Sequence, residues 1–193
     1  MKNDKTSGFC DYVHSIFNKQ EFQISNIQEL IELSVYSALA FFIPMFLKQP
    51  QFLVGSLVNM ALVLAAFNLR GIKLLPVILF PSLGIIAGGY VFGGFTMYLV
   101  YALPFIWLGN ALIVLAFKWL QLQHNLRFFP VLWIASAAKT AVILGAAFVL
   151  VSLAIIPKAF MNMGMLQLVT ALVGGTMAFA VQKLKNRIPS ISS

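Results

Sequence analysis

The feature that most constrains this chain is a series of six long apolar runs that are almost free of charged residues. Their approximate limits are 27–47, 51–69, 72–92, 96–117, 130–156 and 165–182. A bilayer core is crossed by about 20 apolar residues in helical form, because lipid offers no hydrogen-bond partners to an irregular backbone. The runs predict an all-α, polytopic membrane protein with six transmembrane helices, in which residues 27–182 form the membrane domain.

The basic residues between these runs are distributed unevenly. With a cytoplasmic N-terminus, ten fall in cytoplasmic segments and two in outer loops, while Lys139 lies inside the fifth run. The ten are Lys2, Lys5, Lys19, Arg70, Lys73, Lys118, Arg127, Lys183, Lys185 and Arg187, and the outer two are Lys48 and Lys158. Because basic loops stay inside, both termini are predicted to be cytoplasmic, in a bacterial inner or plasma membrane. The net charge of +8 is thus explained by topology rather than by nucleic-acid binding.

The segments outside the membrane domain are short. Residues 1–26 are predicted to be a cytoplasmic tail whose residues 9–17 form an amphipathic helix on the membrane surface. The string "SNIQE" offers a capping box at the start of the first span, through Ser25 with Gln28 or Asn26 with Glu29. Residues 183–193 read as a basic, disordered tail.

Two polar residues inside the spans require partners. Lys139 and Asn110 are placed at similar depths on the consecutive fifth and fourth spans, and each is costly in hydrocarbon unless satisfied. Lys139 either snorkels or bonds to carbonyls at a helix contact, or it faces a cavity as a neutral amine or as the holder of an anionic ligand. Asn110 either cross-links helices, with Gly109 allowing close approach, or contacts a ligand. We expect the Asn110 carbonyl to accept a hydrogen bond from Lys139, and Thr140 is a third buried polar candidate.

The outer halves of three spans carry the remaining candidates for a substrate site. Pro104 removes a backbone donor from the fourth span and predicts a kink there. Aromatic and polar side chains around this kink and in spans two and six are the predicted substrate-binding residues. They are Tyr98, Tyr101, Trp107, Gln167, Thr170 and Asn59.

Small residues spaced four apart predict close contacts between helices. The pairs are Gly84 with Gly88 in the third span and Ala171 with Gly175 in the sixth.

Motifs for catalysis and metal binding are not found in the sequence. There is no phosphate-binding glycine loop, no zinc-protease motif, no Ser/His/Asp set and no acidic metal cluster. Cys10 is the single cysteine, and His14 and His124 lie in peripheral segments. We expect a chain that is not an enzyme and holds no cofactor and no metal.

Three strings carry a resemblance to a known family. They are "LVGSLVNMALVLAAFNLRGIKLLPVILFPSLGIIAGG", "LPFIWLGNALIVLAFKWL" and "LQLVTALVGGTMAFAVQK". With six short helices, they resemble the substrate-binding S component of energy-coupling-factor (ECF) transporters, or a small bacterial family close to it. The resemblance implies a pocket that opens outward between spans four to six. It also implies that spans one to three dock on a membrane coupling protein served by two cytoplasmic ATPases.

The expected function is therefore the binding of a small organic micronutrient from the outer face, as the specificity subunit of an importer. Two alternatives remain open. One is a non-transporting membrane scaffold or assembly factor for a redox enzyme. The other is a small autonomous channel or carrier. A transport subunit requires a ligand-sized cavity, whereas a scaffold is expected to be packed solid.

The distribution of basic residues makes the topology testable. A reporter fused at residue 193 should report the cytoplasm, and the same reporter inserted in the 157–163 loop should report the outside, because six spans separate termini from outer loops in this way. Reporter activity on the same side for both positions would contradict the six-span topology.

Overall fold

The apolar runs all form helices in the computed structural model, which describes residues 4–21, 24–47, 50–89 and 96–187. These residues contain seven α-helices and no strand. The helices are α1 (Asp4–Asn18), α2 (Asn26–Phe46), α3 (Gln51–Asn68), α4 (Leu74–Gly88), α5 (Thr96–Ala116), α6 (Phe128–Ser152) and α7 (Phe160–Lys185). A 3₁₀ turn at Gly71–Lys73 precedes α4, and a π-helical segment at Phe117–Gln123 continues α5. Six of these elements are long and apolar enough to cross a bilayer, so the chain is a multi-pass membrane protein.

The first span begins at the predicted capping box. The Ser25 hydroxyl accepts from the Gln28 backbone N–H at 3.2 Å, and the Gln28 side-chain carbonyl accepts from the Ser25 N–H at 3.0 Å. Of the two pairs that the sequence offered, Ser25 with Gln28 is the one formed, because the Asn26 side chain accepts from Arg70 instead.

Several predicted boundaries differ from those observed. The third span ends at Gly88, since Gly89 adopts a left-handed conformation (φ 68°) that terminates a helix. The fourth runs through the π-helical segment to Gln123, so Lys118, assigned to a cytoplasmic loop, belongs to the helix. The fifth ends at Ser152, and the sixth begins at Phe160 and includes residues 183–185 of the predicted tail.

Residues 90–92 of the predicted third span and 188–193 of the tail lie outside the described residues.

A helix is present in the predicted N-terminal segment as α1, and its apolar face packs on the end of the bundle. Ile16 is buried and Phe17 packs against the main core, while Tyr12 accepts a hydrogen bond from the Trp119 indole at 3.2 Å. The side chain of Phe9, also assigned to this face, lies outside the described residues. We call the end of the bundle covered by α1 the terminal end, and the opposite end the loop end.

The helix α3 is the central helix of the bundle. Of the residues in its most apolar 18-residue stretch, 67% are buried inside the protein, against 28–33% in each of the other spans. It packs against α7, α2, α5 and α4, and its most buried stretch runs from Ala61 to Phe67. It is therefore the span most enclosed by its neighbours, and the other spans leave more of their surface exposed.

Glycines set the closest helix contacts. A Cβ on Gly84 would lie 2.2 Å from the Phe41 carbonyl oxygen, and one on Gly88 would lie 2.6 Å from the Met45 carbonyl oxygen. The predicted small-residue pair of α4 thus packs directly on the α2 backbone. In α7, Ala171 is fully buried, and a Cβ on Gly175 would meet Leu132 of α6 at 2.1 Å.

Substitution of Gly84 tests this packing. Gly84→Ala should destabilise the protein by about 1–3 kcal/mol, because a backbone carbonyl cannot move aside as a flexible side chain can. Thermal unfolding in detergent measures the effect.

The matched control for Gly84 is Gly145→Ala in α6, where an added Cβ meets nothing within 4 Å. It should be neutral or stabilising by up to about 1 kcal/mol, because alanine restricts the unfolded chain more than glycine does. Equal effects of the two substitutions would show that close helix approach is not what Gly84 provides.

Candidate functional site

A cavity of about 130 Å³ lies between α3, α4, α5, α6 and α7. It extends from the middle of the bundle toward the loop end, where Gln51, Ile156 and Phe160 contribute to its wall. Its polar lining residues are Gln51, Asn59, Ser82, Asn110, Lys139, Gln167 and Thr170, and the rest of the described lining is apolar or glycine. The cavity is therefore an apolar chamber with a few concentrated polar groups.

The basic group of this cavity is Lys139, at its inner end. Lys139 is the twelfth of the 25 residues of α6, so its Cα lies at the centre of that span. Its side chain is 2% exposed. The ammonium donates to the Asn110 carbonyl at 2.8 Å and to the Asn59 carbonyl at 2.7 Å. The predicted contact with Asn110 is confirmed, and Asn59 is a second acceptor that the depth argument did not identify.

Both amides are held in the orientation that directs oxygen toward Lys139. The Asn110 Nδ2 donates to the Ile78 carbonyl of α4 at 2.9 Å. The Asn59 Nδ2 donates to the Gly55 carbonyl at 2.8 Å and to the Thr170 hydroxyl of α7 at 3.3 Å. An amide side chain has a donor nitrogen and an acceptor oxygen. Because each nitrogen donates elsewhere, each oxygen remains to accept from the ammonium. The result is a polar cluster of Lys139, Asn59, Asn110 and Thr170, which we call the midplane cluster.

A glycine makes room for the lysine side chain. A Cβ on Gly109 would lie 3.1 Å from Lys139 Cγ and 3.0 Å from Ile143 Cδ1. The sequence predicted that Gly109 allows a neighbouring helix to approach closely. That helix is α6, and its close contact with α5 brings Lys139 to Asn110. Gly109 leaves space for the aliphatic part of the Lys139 side chain, and Asn110 accepts a hydrogen bond from its ammonium.

The three predicted aromatic residues lie outside the described lining of the cavity. Tyr101 is 57% exposed on the outer surface of α5. Tyr98 is partly exposed and its ring meets Phe160, a lining residue, edge-on at 6.4 Å. Trp107 donates to the Ser82 hydroxyl at 2.6 Å, and Ser82 itself lines the cavity. Trp107 is therefore connected to the cavity lining through its hydrogen bond to Ser82.

The helical repeat accounts for the position of Tyr101. The cavity face of α5 carries Leu99, Ala102, Phe105, Ile106 and Asn110. With 3.6 residues per turn, successive residues are rotated by about 100° from one another, and Tyr101 falls on the far side of α5 from Asn110. Tyr98 lies seven residues before Phe105 and shares its face, where its ring meets the lining residue Phe160. An internal Asn110 therefore predicts the placement of Tyr101 but not that of Tyr98.

Of the other residues predicted from the sequence, three line the cavity and one does not. Gln167 and Thr170 line the cavity as expected, together with Asn59. Thr140, next to Lys139, lies outside the described lining, and its buried Oγ1 has no hydrogen-bond partner among the described residues. Sequence reasoning missed Gln51 and Ser82 as lining residues.

A second polar cluster, not expected from the sequence, closes the terminal end. Glu29 is fully buried and accepts from the Arg70 guanidinium and the Lys73 ammonium, each at 2.8 Å. This carboxylate raises the pKa of Arg70 above its ordinary value. Lys118, also fully buried, donates to the carbonyls of Leu69 and Lys19. In the sequence, the sign of this cluster is the pair of basic residues Arg70 and Lys73. The preference of basic residues for cytoplasmic loops explains that pair equally well.

Comparison of the chain with protein family models, with curated proteins and with solved structures finds no match. The resemblance to ECF S components therefore stays a prediction.

The midplane cluster makes a measurable coupling prediction. Asn110→Leu should destabilise the protein more in the presence of Lys139 than in a Lys139→Met background, because loss of the amide leaves the ammonium short of an acceptor. The coupling energy should be about 0.6–2 kcal/mol. Unfolding of the two single variants and the double variant in detergent gives this energy directly.

The control cycle replaces Lys139→Met by Lys158→Met, since Lys158 is exposed in the loop between α6 and α7. Effects in that cycle should add within about 0.5 kcal/mol. The Lys139–Asn110 bond contributes nothing to stability if the first cycle is additive as well.

Proposed function

We propose that this protein is a membrane-embedded solute-binding protein that takes a small organic molecule into the cavity above the midplane cluster. Its role is that of the substrate-specificity subunit of an ECF-type importer. The observation that supports this proposal is the cavity itself, with apolar walls and a charged inner end.

The size and lining of the cavity suit a ligand. A single water needs roughly 10–15 Å³ of such space, so about 130 Å³ accommodates several waters or a small organic molecule. Small-molecule sites are concave and mostly apolar, with a few polar groups that fix orientation. Lys139, Gln167 and Thr170 supply such groups on two facing helices.

A binding role also explains features that a scaffold does not need. Cavities in a core reduce stability, and a lysine at the centre of a membrane span is costly. An assembly factor that only holds other proteins gains nothing from either feature at its centre. Both features are useful to a protein that must admit, orient and release a ligand.

The direction of access follows from the two ends of the bundle. The terminal end is closed by α1 and by the Glu29 and Lys118 cluster. The cavity instead extends toward the loop end, which the distribution of basic residues assigns to the outer face. The protein thus receives its ligand from outside. The resemblance to ECF S components assigns docking on a membrane coupling protein, which works with two ATPase subunits, to the first three spans. Of these, α2 and α4 expose apolar surface for such a contact, whereas α3 is enclosed by its neighbours.

Filling the cavity should abolish binding. Ala102→Phe places a ring in the chamber, and any small molecule that copurifies with the detergent-solubilised protein should be lost from this variant. Untargeted mass spectrometry of denatured samples detects the bound molecule whatever its chemical identity.

The matched control for Ala102 is Ala137→Phe, at an exposed position of α6 that faces away from the chamber. This variant should retain the copurified molecule in full. Equal retention by both variants, or an empty wild-type protein produced in rich medium, would contradict the proposed binding site.

A further inference from the structure

The ammonium of Lys139 has no counter-ion among the described residues. The chain contains five acidic residues, and the last of them is Glu32, so neither α3 nor any later helix carries a carboxylate side chain. The cavity lining is accordingly free of Asp and Glu over the described residues. A negative charge that meets Lys139 in the cavity is therefore expected to come from a ligand.

The described glutamates are held elsewhere. Glu29 is bound to Arg70 and Lys73, Glu32 is bound to Lys185, and Glu21 accepts from the Gln182 amide at 2.6 Å. All three belong to the terminal end. Lys139 lies eleven residues beyond Phe128, the start of α6, which at the helical rise corresponds to roughly 17 Å. No side chain spans that distance.

The hydrogen bonding of Lys139 leaves room for one more partner. An ammonium has three donors and no acceptor. Asn59 and Asn110 are the acceptors that contact it among the described residues, and their own nitrogens are bonded to Gly55, Thr170 and Ile78. The cluster therefore fixes the position of the ammonium and satisfies two of its donors, but it does not neutralise its charge.

From this arrangement we propose that the ligand of the cavity is an organic carboxylate. Its carboxylate accepts the third hydrogen bond of Lys139 and supplies the missing negative charge, and its apolar body lies against residues such as Val58, Ile106 and Ile143. This inference rests on the proposed function and adds the chemical class of the solute.

Charge arithmetic favours a monocarboxylate over a phosphate. A phosphate monoester carries about 1.5–2 negative charges at neutral pH and is typically recognised by arginines or by several cations. Lys139 is the one basic residue in the described lining. A single lysine balances a single carboxylate, whereas a phosphate would leave uncompensated charge inside the bilayer.

A matched set of three probes tests the charge. Benzoate, benzamide and benzylamine have similar size and carry negative, zero and positive charge. Thermal unfolding of the purified full chain is measured with each probe in detergent at constant chloride concentration. At about a hundredfold excess over Kd, benzoate should raise Tm by roughly 5–10 °C in a saturable manner. Benzamide and benzylamine should produce no saturable shift.

Two variants assign the effect to the midplane cluster. Lys139→Gln keeps a donor for Asn59 and Asn110 but removes the charge, so the benzoate shift should disappear. Asn59→Asp keeps the lysine and places a carboxylate oxygen where the amide oxygen now lies, 2.7 Å from the ammonium. The Thr170 hydroxyl, which now donates to the Gln167 carbonyl at 3.2 Å, can turn to donate to that carboxylate instead. The benzoate shift should again disappear, because the charge is already balanced. Lys158→Gln, in the exposed loop, should respond as the wild type does.

A fatty acid from the bilayer presents the same headgroup as a water-soluble acid. A second pair, palmitate and palmitamide in nanodiscs of phosphatidylcholine, distinguishes these sources. A shift with palmitate alone assigns the carboxylate to a lipid, and a shift with benzoate assigns it to a soluble solute.

The results of these experiments distinguish a failure of the carboxylate assignment from a failure of the proposed function. Equal shifts with benzamide and benzoate, or an unchanged benzoate shift in Lys139→Gln and Asn59→Asp, would overturn the carboxylate assignment and leave solute binding intact. The absence of a saturable shift with either acid would also overturn it. The proposed function is judged independently by the molecule retained in Ala137→Phe and lost in Ala102→Phe.

Discussion

The hydrogen bonds of the Lys139 ammonium to two asparagine carbonyls at the centre of the bundle determine much of this architecture. Hydrocarbon offers no partner to a polar group, so a polar side chain placed there is costly unless the protein satisfies it. Asn59 is the ninth of the 18 residues of α3, and Lys139 is central in α6, so the bond joins the midpoints of two spans. Asn110 extends the same cluster to α5 and, through the Ile78 carbonyl, to α4. The rotation of each of these helices is fixed by the need to direct its polar residue inward.

Two polar layers divide the bundle into unequal halves. The terminal end has full ion pairs, in which Glu29 is balanced by Arg70 and Lys73, and its helices are packed around the aromatic rings of Phe67, Phe117 and Phe128. The half beyond the midplane cluster contains the cavity, whose described polar lining is neutral apart from Lys139. The proposed binding of a solute from one side of the membrane requires such a closed half beside a half that contains a cavity.

The sequence predicted the helices well because the bilayer imposes one length and one composition on each span. It predicted the Lys139–Asn110 bond because consecutive helices are antiparallel neighbours, so equal depth was sufficient to bring the residues together. The bond from Lys139 to Asn59 was missed since α3 and α6 are distant in sequence and meet only in the folded bundle. That Tyr98 and Tyr101 lie outside the described lining was not foreseen, for a related reason. Depth along a helix can be counted from its ends, whereas rotation about its axis is set by tertiary contacts such as those of Gly109 and Asn110.

The choice of amides rather than carboxylates around Lys139 has a chemical consequence. An aspartate at position 59 or 110 would satisfy the ammonium more strongly, since charged acceptors form shorter and stronger bonds. It would also cancel the charge and leave the inner end of the cavity without a net field. The asparagines hold the ammonium at a fixed point with neutral dipoles, and they keep its charge available toward the apolar chamber. A low-dielectric wall strengthens that field, because Coulomb interactions fall with the effective dielectric constant. The same residues that make the fold specific thus hold one basic group, without a carboxylate partner among the described residues, at the point where a ligand would end.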